Sequence, residues 1–340
     1  MFSSSGLKCI ALVALVAAIG QPVATGDDAL HLADFIIAGT QKGGTSSLYM
    51  DVLAHHSQIA AAKHGHMETH YFDECAWAEV VNASLSLQGQ GRALRKKNKK
   101  AAYQQYTNCS AEEYASVLRQ GHKHQGPGEN SEQKYLIDKS PDYMFFPWIP
   151  SRIRRVAPAA KIIFVLRDPV TRAYSHYSMT AHRPTHRHLT GNFSTMVLDQ
   201  IARFQRTGFA DNQSLVLQNP SKVQAISFIS RGLYAEQLEP FFGLFPADQL
   251  LVLFAEELWK TNDYSALSEF MQLDPPLKAP TSKTKHKKMS YTFKEPEMAT
   301  TMKETLQNFY ARPNKALCEL LMRNGASCPP WTEYSNPPLA

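Results

Sequence analysis

Four short apolar runs punctuate the chain, and each ends in a different chemistry. Phe35, Ile36, Ile37 and Ala38 form a β-branched run of the kind that sits in the centre of a parallel sheet. A second, in YLIDKS, ends at Lys139; a third, Ile162 to Leu166, ends in Arg167, Asp168 and Pro169; a fourth lies in LLVLFAEEL near residue 250. Between them the period changes. After Thr45 the apolar positions Leu48, Val52 and Leu53 have the spacing of one helix face, and VTRAYSHYSM after Pro169 and the run opened by Arg231, Gly232 and Tyr234 also read as helices. Strands alternating with helices predict a single α/β domain with a central, mostly parallel sheet and helices on both faces. Ligands in such sheets bind beyond the carboxyl ends of the strands, here those carrying 35–38 and 162–166.

The first strand runs into a loop suited to an anion. The stretch FIIAGTQKGGTSSL reads as strand, glycine loop, helix, so that backbone N–H groups, Lys42 and the hydroxyls of Thr45, Ser46 and Ser47 converge on one spot. The glycine spacing of Gly39 and Gly44 resembles the P-loop of nucleotide kinases, but Thr45 stands where that motif has its lysine, which has moved to Lys42. A loop of this kind suits a terminal 5′-phosphosulfate better than a Mg-bound triphosphate. After the third strand, Arg167 supplies a fork and Ser175 a hydroxyl for a second phosphate, with a structural Arg–Asp pair as the alternative.

The 340 residues are 44% hydrophobic and 19% charged, enough for one large α/β unit, and no internal repeat is present. The leader MFSSSGLK followed by CIALVALVAAIG reads as a signal peptide over residues 1–26, with a short single-pass anchor as the alternative. Sequons at Asn82, Asn108, Asn192 and Asn212 agree with a secretory route. So do the four cysteines beyond the leader, Cys75, Cys109, Cys318 and Cys328, which allow three pairings; proximity favours Cys318 with Cys328. No C-x-x-C occurs, which speaks against a metal site. The formal charge of +6 is concentrated in the run Arg92, Arg95, Lys96, Lys97, Lys99, Lys100, inside an insertion of about 88–132, and in Lys283, Lys285, Lys287, Lys288. In a secreted or lumenal protein that balance points to an acidic polysaccharide or a polyanionic co-substrate and away from nucleic acid.

Taken in order, QKGGTSSL, E-T-H-Y-F-D, D-K-S-P-D-Y and V-L-R-D-P-V-T-R-A-Y-S-H-Y resemble the sulfotransferases that use 3′-phosphoadenosine 5′-phosphosulfate (PAPS), most closely the Golgi heparan sulfate 3-O- and N-sulfotransferases. The resemblance covers roughly residues 34–310, with a domain expected over 34–328 and an irregular tail over 329–340. It implies that Lys42, Gly43, Gly44, Thr45, Ser46 and Ser47 bind the 5′-phosphosulfate, that Arg167 and Ser175 hold the 3′-phosphate, and that Lys287 and Lys288 close over the nucleotide. It assigns Glu68 as catalytic base, Lys42 and Lys139 as stabilisers of the transferred group, and His70 to orienting substrate or base; His66 and His70 are the local competitors for the base. No metal is required, and the acceptor implied is a glycan in the Golgi lumen. Two departures bear on the acceptor: Ser46 replaces an arginine of the heparan 3-O type, and a cysteine-bridged loop before the basic segment is missing. The rival readings are a glycan-binding protein on a degenerate scaffold and a P-loop kinase variant.

Overall fold

A computed structural model describes residues 30–60, 62, 68–75, 109–122, 135–182, 191–218, 227–281, 298 and 300–331. The leader, His66, the basic run 92–100, the sequons Asn82 and Asn108, and Lys287 and Lys288 lie outside the described residues.

The four apolar runs are the four strands: β1 (Phe35–Gly39), β2 (Ile137–Lys139), β3 (Lys161–Leu166) and β4 (Leu250–Phe254). They form one sheet in the order β2-β1-β3-β4, every neighbouring pair parallel. Every residue of β1, and all of β3 but Lys161, is buried, which is why these runs lack the polar alternation of a one-sided sheet. The helices are α1 (Thr45–Ser47), α2 (Ala111–Gly121), α3 (Ile149–Val156), α4 (Pro169–His182), α5 (Phe193–Gln218), α6 (Tyr234–Leu244), α7 (Ala255–Thr261), α8 (Ser265–Met271) and α9 (Thr300–Arg323). They pack around the sheet, with α6 lying against both α3 and α9.

One predicted helix takes a different form. The stretch after Thr45 is a single α turn, then a π-helical turn (Leu48–Val52), then a 3₁₀ turn (Leu53–His55). The wide central turn puts Tyr49 in the core beside Leu48, Val52 and Leu53, and π turns of this kind are frequent at functional sites.

The loop between β1 and this helix is held tightly against β3. Thr40 N donates to Val165 O (3.0 Å) and Gly43 N to Thr40 O (2.8 Å). A Cβ at Gly43 would lie 2.2 Å from Val165 O, so no other residue fits this close approach. Gly44 has φ 101°, and a Cβ there would meet the Trp259 indole at 3.1 Å.

Two disulfides are present: Cys318–Cys328, as sequence proximity favoured, and Cys75–Cys109. The start of the expected tail is tied to the core: Trp331 is buried and meets Phe254 edge-on at 5.3 Å. Among the described residues, no helix is long and apolar enough to cross a membrane.

Candidate active site

Because all strands run the same way, the residues that follow β1, β2 and β3 share one edge of the sheet. Ile37 pairs with Lys139, and Gly39 with Phe164, which brings the loop carrying Lys42, the end of β2 and the segment from Arg167 to that edge.

Lys139 is the last residue of β2, and its side chain is fully buried. Its ammonium donates to Glu68 Oε1, and lies 3.4 Å from Ser46 Oγ in the glycine loop. Glu68 Oε2 is 3.6 Å from His70 Nε2, and His70 Nδ1 is 3.0 Å from Asp73 Oδ2. The structure therefore brings together four sequence-predicted residues, Ser46, Lys139, Glu68 and His70, and adds Asp73. The ammonium is shielded from water, whereas the Glu68 side chain keeps 35% of its surface. The carboxylate can meet an incoming group.

A buried carboxylate one residue earlier holds this arrangement in place. Asp138 is 0% exposed and accepts hydrogen bonds from Thr69 Oγ1 (2.7 Å), Ser140 Oγ (2.7 Å), Tyr114 OH (2.9 Å) and Tyr143 OH (3.0 Å). Ser140 Oγ also accepts from His70 N (3.1 Å), and Thr69 Oγ1 from Tyr71 N (3.2 Å). Thr69 is thus pinned to the strand, with Glu68 on one side of it reaching Lys139 and His70 on the other reaching Glu68. His70 itself has φ 50°, a left-handed conformation that costs a non-glycine residue on the order of 1 kcal/mol or more and concentrates at functional sites. Burial raises the Tyr114 and Tyr143 hydroxyls far above their ordinary range, and the adjacent Asp138 charge adds to it, so both remain donors.

The charges are set by the same contacts. Burial alone would push the Glu68 carboxyl up, but the hydrogen bond with His70 and the Lys139 ammonium outweigh it and bring it down to about 2. Burial would lower His70, but its bonds to Asp73 and Glu68, and the charges of Asp73 and Asp142, outweigh it and hold the ring as imidazolium. Glu68 is a carboxylate between two cations.

The other predicted residues lie on the segments that follow β1 and β3. Arg167 follows β3, and its carbonyl accepts from Tyr234 OH (2.7 Å); Ser175 is half-buried on α4. Asp168, weighed as the partner of an Arg–Asp pair, has its carboxylate accept from Val170 N (3.0 Å) at the start of α4. Lys42 lies in the loop with φ 68°, followed by half-buried Ser46 and Ser47 and buried Thr45. Sequence reasoning passed over Asp73 and Asp138, although both lie in runs it singled out. The signal for Asp138 was a carboxylate between the apolar Ile137 and the predicted Lys139; Tyr114, from a separate helix, left none.

Residues 34–228 match the family model described as "Sulfotransferase family". Heparan sulfate glucosamine 3-O-sulfotransferase 3A1 of Mus musculus is 31% identical over 128 residues, 37% of this chain and 28% of that protein. Heparan sulfate glucosamine 3-O-sulfotransferase 6 of Mus musculus is 24% identical over 244 residues, 70% and 51% of the two chains. The bifunctional heparan sulfate N-deacetylase/N-sulfotransferase of Drosophila melanogaster is 24% identical over 226 residues, 60% and 20%. The chain thus spans about half or less of the length of these relatives. A solved sulfotransferase from Alicyclobacillus acidocaldarius shares the fold, with a TM-score of 0.55 at 22% identity over 85% of this chain and 96% of that one. With more than half of its residues inside the family match, the chain belongs to the sulfotransferase family.

Proposed function

We propose that the protein transfers the sulfuryl group of PAPS to a hydroxyl, or an amine, of a glycan resembling heparan sulfate, in the lumen of the secretory pathway. The observation that carries this reading is the contact of Lys139 with both Glu68 and Ser46, which joins a carboxylate base to the anion loop.

The donor set suits PAPS. Lys42, the loop amides and the hydroxyls of Thr45 to Ser47 offer cations and hydrogen-bond donors without a carboxylate inside the loop, and Arg167 and Ser175 offer the same one strand over. In the reaction, the acceptor O–H gives its proton to Glu68 as its oxygen bonds to sulfur. The bond between sulfur and the 5′-phosphate oxygen breaks, and 3′-phosphoadenosine 5′-phosphate leaves with the electron pair. Lys42 and Lys139 neutralise charge on the sulfuryl and leaving oxygens.

The low basicity of Glu68 in the Lys139 pair fits an ordered mechanism. An ammonium that turns from Glu68 to an arriving sulfuryl oxygen releases the carboxylate, whose affinity for a proton then rises. Retention of Lys42, Glu68, Lys139, Arg167 and Ser175 together favours an enzyme over a degenerate glycan binder, and Thr45 in place of a Walker lysine disfavours a kinase.

The test is calorimetric titration with 3′-phosphoadenosine 5′-phosphate and, separately, ATP with Mg²⁺. Binding of the former, lost in Lys42→Ala and Arg167→Ala, is expected. Preference for ATP with Mg²⁺ would overturn the reading.

A further inference from the structure

Close to His70 and Asp73 lies a second buried ion pair that the chemistry above does not use. Arg231, in the 3₁₀ turn Ser230–Gly232, is 1% exposed, and its Nη1 donates to Asp142 Oδ1 at 2.6 Å. Its Nε donates to Ser227 Oγ (3.0 Å), and its guanidinium lies 4.3 Å over the Phe145 ring, so its direction is fixed from three sides. Asp142 is nearly buried, and one oxygen each of Asp142 and Asp73 and a ring nitrogen of His70 all lie within 4.8 Å of one another.

His70 is therefore faced by three carboxylates, Glu68, Asp73 and Asp142, with Glu74 also within electrostatic reach and Lys139 beyond Glu68. Only contact with Glu68 serves the base. Asp73 holds the other ring nitrogen, and an unneutralised Asp142 would pull the imidazolium toward itself.

We propose that Arg231 is a positioning residue that neutralises Asp142 and so leaves His70 directed at Glu68. The inference rests on the reading of Glu68 as base, and makes the turn before α6 part of the machinery that sets the base's geometry. It also gives a reason for a buried pair here, since such pairs contribute little to stability on balance, while removing one partner strands the other charge.

Three variants of the full chain decide it: Arg231→Gln, Arg231→Lys, and Arg231→Gln with Asp142→Asn. In Arg231→Gln, kcat should fall at least tenfold with affinity for 3′-phosphoadenosine 5′-phosphate held within about twofold, and the NMR resonances of the His70 ring should move. Arg231→Lys, with fewer donors, should shift both in the same direction by less. The double variant removes the competing charge, and should recover most of the lost turnover and return the ring resonances toward their original positions. If Arg231→Gln does not fold, Arg231→Lys against the double variant makes the same comparison. Unchanged kcat and ring resonances in every folded variant would overturn the proposal, as would a double variant as impaired as its parent. The ring resonances need no turnover: if they respond as described in the variants while the wild type transfers no sulfuryl group, the reading of the reaction fails and the positioning role stands.

Discussion

Lys139 and Glu68, separated by 71 positions in the chain, meet in a part-buried hydrogen-bonded ion pair beside the glycine loop. In the reaction proposed above, the fully shielded ammonium is the group that holds the donor's charge and the part-exposed carboxylate the one that takes the acceptor's proton.

Substituting Lys139 by Met should therefore change the pH dependence as well as the rate. Among the influences that lower Glu68, the His70 bond comes first and Lys139 next. With Lys139 gone, the Glu68 carboxyl moves up, and the acid limb of kcat/KM should appear at higher pH in a pH–rate profile while kcat falls by on the order of tenfold or more. An acid limb that stays in place would show that Glu68 does not feel this lysine.

His70 should stay protonated at neutral pH. Its folded-state pKa is raised, so its contribution to stability is complete below the ordinary histidine value of about 6.5 and is lost only as pH rises through the raised value, well into the alkaline range. Glu68 acts in the opposite window: its pKa is depressed, and its contribution is lost as pH falls from the ordinary carboxylate range toward about 2. Ring nitrogen shifts of His70 measured from pH 6 to 9 should be those of the imidazolium throughout.

Gly44→Ala should weaken binding of 3′-phosphoadenosine 5′-phosphate at least tenfold, or about 1.4 kcal/mol. The backbone at φ 101° strains any side chain, and the new methyl would press on the Trp259 indole, so the loop must shift as a unit. Calorimetry on the variant measures this directly.

The strands were legible because each apolar run is short, bounded and largely buried. Phe35–Gly39 and Lys161–Leu166 extend the sequence reading by one residue each. The glycine loop was legible from Gly43 and Gly44, the first packed too closely on Val165 O for a side chain and the second at φ 101°. The π turn at Leu48–Val52 was not: the apolar positions Leu48, Val52 and Leu53 fit one helix face and carry no mark of the wider turn. Long-range polar contacts were hidden for a similar reason. Asp138 lies in a run the sequence reading quoted, but its partners Thr69 and Tyr114 come from segments whose approach is fixed by the fold, and Arg231 pairs with Asp142 across 89 positions.

The Cys75–Cys109 disulfide closes a separation of 34 residues, which the chain-entropy account equates with about 3.8 kcal/mol. Cys75 ends the helical turn over residues 71–75 that starts beside His70, and Cys109 precedes Ser110, whose carbonyl accepts from Tyr71 OH at 2.7 Å. Replacing both cysteines by serine should lower unfolding stability by about 2–4 kcal/mol in urea titration and reduce turnover through the loosened His70 turn. Loss of stability with unchanged turnover would separate this bridge from the base.

The most direct measurement tracks labelled sulfuryl groups from PAPS into desulfated heparan chains, in the wild type and in Glu68→Gln. The account predicts transfer by the wild type and a fall on the order of 10²–10⁴-fold in the variant, with binding of 3′-phosphoadenosine 5′-phosphate retained. A variant that turns over at the wild-type rate would contradict the assignment of Glu68, and a wild type that binds the nucleotide but transfers nothing to any glycan hydroxyl or amine would contradict the account as a whole.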